Sequence, residues 1–519
     1  MPRRIQIPNK LPGSLVFAGL VSVLVGFLPL TAGAQYAGSG DSTPLQVVRL
    51  DWGVQAQVLE AGLYLSDLII APNPHLGLAF PGSHLEIYDA MSACGMGMAR
   101  IDVNWSEREP AQDQFEWGGL DYKIRHLQGR GIDVFLTFAT DAAWATLPSG
   151  LTAANRVPAN LADWEDFVRS CAERYDGDGV DDLNGLERPV VHYQFINEWP
   201  SENNKAGGWC GDEAQLIATL NASHDAVKSA FPEAKVVLGG IPVGGLDSMV
   251  LSSGIADYIA RAAWTPTTSF TLDLQSAQDP SVLESVALRE RVLTQTRYDV
   301  VDMHLYGPVQ FNEYRINRLQ PLIGSAGMIS GECGGPNLAY DADITHEDHF
   351  LAALEMNLHA LSRGVDFILW YMMLEREYIE GEGTMTYGNS QLQLFDVNRQ
   401  PKGGYWAYYL LASVLSDMET VTKVREGIFR VERAGRPDVY VAWSKNDTQL
   451  LQLPDTIHPD MFMRVVDAQY GTFDVEVVPG NGVIELGPLP VIVSEELPAG
   501  NFGAQLQPHL DDFEHPILF

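Results

Sequence analysis

Basic residues are scarce in this chain: lysine and arginine number 33 against 67 aspartates and glutamates, a formal net charge of −34. A surface of that sign repels phosphate backbones and anionic headgroups, which sets aside nucleic acid and membrane surfaces as partners. Cysteine is rarer still, at four. Cys94, Cys171, Cys210 and Cys333 form no Cys-x-x-Cys pair, so the usual spacing of a structural zinc site is missing. Disulfides and free thiols both stay open on sequence alone. Long apolar runs are absent beyond residue 30, and no internal repeat is visible. The one such run, Leu15 to Leu30, follows Arg3, Arg4 and Lys10 and precedes the small residues Ala32-Gly33-Ala34. Cationic, apolar, then small is the pattern of a secretory signal peptide, here 1–34. It predicts a secreted or periplasmic protein with no stable membrane span after cleavage.

What is present is globular. Of 519 residues, 46% are hydrophobic and 19% charged, enough for one large core and an accessory domain. A Gly/Ser-rich start opens an N-terminal extension over 35–74. From 75 to 416, apolar runs of strand length alternate with helical spacing. The strands fall at Leu76–Phe80, Met98–Val103, Ile132–Phe138, from Val191, Lys235–Gly240, Val300–Tyr306, up to Glu332, and Phe367–Tyr371. Eight such units predict a (β/α)8 TIM barrel. After Asp417 short alternating runs separated by turns, such as Pro479-Gly480-Asn481-Gly482, predict a small C-terminal β-sandwich over 417–497, followed by a tail, 498–519.

Two strand ends carry the chemistry. Val191-His192-Tyr193-Gln194-Phe195-Ile196-Asn197-Glu198-Trp199-Pro200 is an apolar run that closes on an amide and a carboxylate, with Pro200 unable to continue a ladder. Gly327-Met328-Ile329-Ser330-Gly331-Glu332 closes on a second carboxylate. Both belong at the C-terminal mouth of the barrel, on strands four and seven. Cleaving a glycosidic bond needs one carboxyl group to protonate the leaving oxygen and another to attack or to activate water.

Asn197-Glu198 on strand four and Glu332 on strand seven resemble the signature of glycoside hydrolase clan A. The resemblance covers roughly 75–416 and includes Arg100, Glu109-Pro110, Gln114-Phe115-Glu116-Trp117, Leu120-Asp121, His304-Leu305-Tyr306 and Trp370. It is nearest in flavour to family 39, with families 5 and 42 also in view. It implies a retaining glycosidase with Glu198 as acid/base and Glu332 as nucleophile, and a carbohydrate substrate. For the supporting residues, the physical expectations are these. Asn197 bonds the sugar 2-hydroxyl, Arg100 holds Glu332 ionised, Tyr306 orients it, and His304 lies beside them. Trp370 offers a flat face to the sugar, while Trp144, Trp199 and Trp209 line further subsites. Asn-Glu-Trp-Pro departs from the frequent Asn-Glu-Pro, and Cys333, beside a carboxylate, is expected to be inert. A non-catalytic glycan-binding protein on the same scaffold is the alternative reading.

No cofactor is required by this scheme. Asp176, Asp178, Asp181 and Asp182 form a candidate structural calcium loop, without the full twelve-residue pattern. His346-Glu347-Asp348-His349 is one residue short of a zinc-protease motif, and Thr345 as a helix N-cap accounts for it.

Overall fold

A computed structural model describes residues 49–50, 54–55, 63–68, 70–201, 204–205, 207–265, 268–336, 344–374, 392–396, 399–445, 449–454 and 456–497. All lie within the compact unit Leu45–Phe519. Segment 1–34, expected to be a signal peptide, and the tail 498–519 fall outside the described residues. No described helix is long and apolar enough to cross a membrane.

Eight parallel strands close into a barrel: Asn73–Ala79, Met96–Asn104, Asp133–Ala139, His192–Phe195, Lys235–Ile241, Val300–Tyr306, Gly327–Gly334 and Val365–Trp370. They are strands one to eight below. The period of two decides what each residue faces. On strand eight Phe367 and Leu369 fill the lower barrel with Met98, Phe135, Val237 and Ile329. Ile368 and Trp370 belong instead to the larger core that includes the surrounding helices. On strand six Val301, Met303 and Leu305 also pack in that larger core, which leaves Asp302, His304 and Tyr306 to the interior.

The helices follow their sequence signals where caps are strong. Asn160 caps Leu161–Arg174 by accepting from the Ala162 amide at 3.1 Å. Thr345 and Asp348 form a reciprocal capping box on His346–Leu361, which explains the acidic first turn without a metal. Between strands five and six, where little sequence period is visible, lie helix Val243–Ser253, an antiparallel hairpin (Ala260–Thr265 with Thr268–Leu272) and helix Pro280–Gln295.

The C-terminal domain is a seven-stranded antiparallel sheet faced by a two-stranded ribbon, Gln449–Gln452 with Val483–Leu486. Two of its strands were not foreseen, Met418–Arg425 and, at the far edge, Leu63–Tyr64 from the N-terminal extension. One sheet face packs Ile428, Tyr440 and Phe462 against Ile484 and Leu486 of the ribbon. The other puts Phe429, Val431, Met463 and Ile492 into the barrel's own core cluster. Trp443 seals the junction, its indole donating to Glu355 of helix His346–Leu361 at 3.0 Å. The sheet is a buttress on the barrel.

Candidate active site

Strand four stops at Phe195, short of the expected Glu198. Ile196 and Glu198 take left-handed backbone, with φ of 61° and 47°. For a β-branched residue such as Ile196 that conformation costs on the order of 1–3 kcal/mol. The turn folds Asn197 and Glu198 over the barrel mouth. On strand seven an extra residue intervenes: Asp302 pairs with Ile329, but His304 pairs with Glu332. This bulge re-aims Glu332, which simple alternation from Ile329 would send outward, into the interior beside His304. Gly240 is required opposite, because a Cβ there would collide with the His304 ring.

The two carboxylates therefore meet. One oxygen of Glu198, one of Glu332 and a ring nitrogen of His304 all lie within 4.8 Å of one another. Their surroundings differ. Glu332 is 7% exposed; its Oε1 accepts from Arg100 at 3.0 Å and its Oε2 from the Tyr306 hydroxyl at 2.8 Å. The Glu198 side chain is 23% exposed, with Oε1 at 3.0 Å from His304 Nδ1 and Oε2 accepting from Asn204.

Arg100 organises the floor. Fully buried, it donates to Thr137 Oγ1 at 2.8 Å, to the Gly331 carbonyl at 3.1 Å and to Asn197 Oδ1 at 2.6 Å, besides Glu332. Its guanidinium lies 4.7 Å from the Phe80 ring centroid, a cation–π contact. One cation thus ties the amide of the strand-four turn to the strand-seven carboxylate.

Asp302 was not anticipated, although its place two residues before His304 on an inward face is a period-two signal. Its Oδ2 accepts from Gln194 Nε2 at 2.5 Å and lies 3.4 Å from His304 Nε2; Oδ1 accepts from the Gly331 amide. Burial resists charge on Asp302, but His304 and Arg100 hold its carboxyl below the usual range. For His304, burial again opposes charge, yet Glu332 and Asp302, with hydrogen bonds to Asp302 and Glu198, overcome it and raise the pKa to about 10. At neutral pH His304 is a buried imidazolium placed between the side chains of Asp302, Glu332 and Glu198.

Asp102, the next inward position after Arg100, was missed too. Its side chain keeps solvent access at the mouth while the surrounding protein partly desolvates it, which raises its pKa toward about 6, with Arg100 lowering it and Glu332 raising it.

Other expectations need correction. Trp370 is fully buried, donates its indole N–H to the Leu392 carbonyl and packs edge-on to His349 and Tyr408, so it offers no face to a sugar. Tyr371, one residue on, packs edge-on to Tyr306 and Phe80 instead. Trp199 is 2% exposed and bonds the Gly239 carbonyl at 3.2 Å, and Trp209 is likewise buried. Their size and apolar bulk are used for packing. Trp144 is 37% exposed, anchored edge-on to Trp105 and through its N–H to the Glu109 carbonyl. Glu109 and Asp121 serve the scaffold: Glu109 accepts from Trp105 and Asp121 takes a two-pronged bond from Arg174.

The candidate calcium loop is largely occupied with itself. Asp176, Asp178 and Asp182 accept from the loop amides of Asp178, Val180, Gly177 and Gly179. The acidic group gathered among the described residues is Glu173, Asp176 and Asp178, with Asp181 and Asp182 outside it. All four cysteines are free thiols. Burial and the charge of Glu332 push Cys333 well above the usual thiol range, as its expected inertness requires.

No family model matches the chain, and no curated protein matches its sequence. Solved structures do match in shape. A family 39 glycoside hydrolase from the gut symbiont Bacteroides cellulosilyticus WH2 is 14% identical, with 85% of this chain and 84% of that one covered at a TM-score of 0.53. A monomeric beta-xylosidase from Caulobacter crescentus CB15 is 13% identical, covering 83% of this chain and 98% of that one at 0.52. An alpha-L-arabinofuranosidase from Thermotoga maritima is 10% identical, covering 83% and 98% at 0.51. At these identities the likeness is one of fold: a TIM barrel carrying a C-terminal β domain.

Proposed function

We propose that this chain is a retaining glycoside hydrolase that cleaves β-O-glycosidic bonds of oligo- or polysaccharides outside the cytoplasm. The observation that carries the reading is the approach of Glu198 and Glu332 at one barrel mouth in unlike settings, with one oxygen of each no more than 4.8 Å from the other. Retaining pairs stand about 5–5.5 Å apart, whereas inverting pairs leave roughly 6.5–9.5 Å for a water.

The roles follow from the settings. Glu332, buried and receiving a guanidinium N–H and a phenol O–H on separate oxygens, is held in place as the nucleophile that attacks the anomeric carbon. Glu198, more open to solvent, protonates the departing oxygen. The His304 imidazolium then donates its Nδ1–H to the carboxylate that Glu198 has become, before Glu198 takes a proton from the incoming water. Asn197, fixed by Arg100, is placed for the 2-hydroxyl of the sugar. Because proteins of similar fold are a β-xylosidase and a glucosidase, β-xylosides and β-glucosides are the first substrates to try.

The test is proton NMR of the freshly cleaved sugar. The β-anomer appearing first supports retention, and the α-anomer appearing first rejects it. Glu332→Gln and Glu198→Gln are each expected to abolish most turnover while keeping the folded spectrum; an active Glu332→Gln protein would remove the nucleophile assignment. Tight sugar binding without cleavage by the wild type would favour the non-catalytic alternative. Export is checked by sequencing the mature N-terminus, expected near Gln35.

A further inference from the structure

Beside the paired carboxylates, between the hairpin that follows strand five and the loop that follows strand six, lies a cavity of ≈ 290 Å³. It shares a wall with the site: the Tyr306 ring lines the cavity while its hydroxyl bonds Glu332. Val243, Ala262, Phe270 and Phe311 make most of its surface apolar. Of its charged lining residues, Arg261 is exposed to solvent, and the two at its base, Asp247 and Arg315, are already committed. Asp247 accepts from Arg315 at 2.7 and 3.1 Å and from Tyr258 at 2.8 Å, while Arg315 also donates to the Tyr306 carbonyl and to Asn312.

A sugar placed there would turn most of its hydroxyls to apolar walls, with Arg261 as the one uncommitted charged side chain in the described lining, and hydroxyls buried without partners are costly. The groups suited to sugar hydroxyls stand elsewhere, on the side of strands two and four: Asn197 and the open carboxylate of Asp102. We infer that the sugar undergoing cleavage occupies that polar side, and that the cavity receives an apolar leaving group, an aryl ring or a short alkyl chain. The inference rests on the glycosidase reading and adds a substrate class to it: glycosides of apolar alcohols or phenols. The rim agrees, since Ile259, which lines the cavity, is 49% exposed.

The experiment uses the full chain with methyl, butyl and hexyl β-xylosides and β-glucosides, alongside saturation-transfer NMR with free 4-nitrophenol. Each methylene that enters an apolar pocket is expected to raise kcat/KM roughly three- to fourfold until the space is filled. Ala262→Phe, which fills the cavity, is expected to flatten that series and abolish the 4-nitrophenol signal. Should the bulkier side chain compromise folding, Ile259→Asp at the exposed rim is expected to lower the slope without a change in melting temperature. A flat series in an active wild type, or a slope and phenol signal that persist in Ala262→Phe, overturns the inference and leaves the glycosidase reading standing. No hydrolysis of any glycoside by the wild type removes both.

Discussion

Replacing His304 with glutamine tests whether the two carboxylates share a buried cation. The folded chain holds the imidazole proton up to about pH 10, against an ordinary 6.5. At about 1.4 kcal/mol for each pH unit, the difference amounts to roughly 5 kcal/mol of stability. Its sign is fixed by linkage. The contribution is complete below pH 6.5, where both states carry the proton. It drains as pH rises toward 10, because the unfolded chain has released a proton that the folded chain retains. Between pH 7 and 9 the unfolding free energy of the wild type should therefore fall by about 2–3 kcal/mol more than that of His304→Gln. Groups away from His304 that titrate in the folded or unfolded chain over this range, the buried Cys94 thiol among them, are common to both proteins and cancel in the comparison. Urea unfolding at pH 7, 8 and 9, followed by tryptophan fluorescence, measures the gap. It should be widest at pH 7 and narrow steadily. Parallel profiles would show that His304 is neutral in the folded chain and would remove the imidazolium from the mechanism.

Three further outcomes are expected. Asp102 is protonated more readily in the folded chain than in the unfolded one, so the penalty of ionising it sets in above pH 3.8 and is complete above about pH 6. Asp102→Asn should accordingly be more stable than wild type at pH 7 and no more stable at pH 3, and any acid limb of kcat/KM centred near pH 6 should shift or vanish; a destabilised variant at pH 7 contradicts this. Trp370→Phe should lower the melting temperature with KM unchanged, whereas Trp144→Ala should raise KM for longer oligosaccharides with little change in stability. The opposite pattern would put Trp370 back in the sugar site. Trp443→Ala should destabilise by about 3–5 kcal/mol as a single transition, since its indole and ring join sheet to barrel. Two separate transitions would show that the sheet folds independently.

How far the sequence reveals this site depends on how local each signal is. Strand six is legible in full, because Asp302, His304 and Tyr306 alternate with Val301, Met303 and Leu305 and period two alone sorts them. Only familiarity of residue type made the histidine and tyrosine noticeable and the aspartate not. Strand eight is where the same reasoning should have corrected the resemblance: Phe367 and Leu369 are inward, so Trp370 must face the helices. Strands four and seven defeat periodicity altogether. Glu198 reaches the mouth through left-handed backbone, and Glu332 through an inserted residue. Both are departures from regular pairing that nothing in the local alternation specifies.

Those two departures cost stability or regular pairing, and the network beneath them explains how they persist. Arg100 binds Asn197 of the distorted turn and Glu332 of the bulged strand with one guanidinium, and Asp302 holds the bulge through the Gly331 amide. Removing that guanidinium would leave Glu332 and Asp302 buried beside a single remaining cation, His304. Breaking one partner of a buried charge set typically costs about 3–5 kcal/mol. Irregular backbone and buried charge are therefore one feature. The barrel tolerates strained strand ends because an ionic network crosses its interior, and that network stands there because the strained ends deliver carboxylates to it.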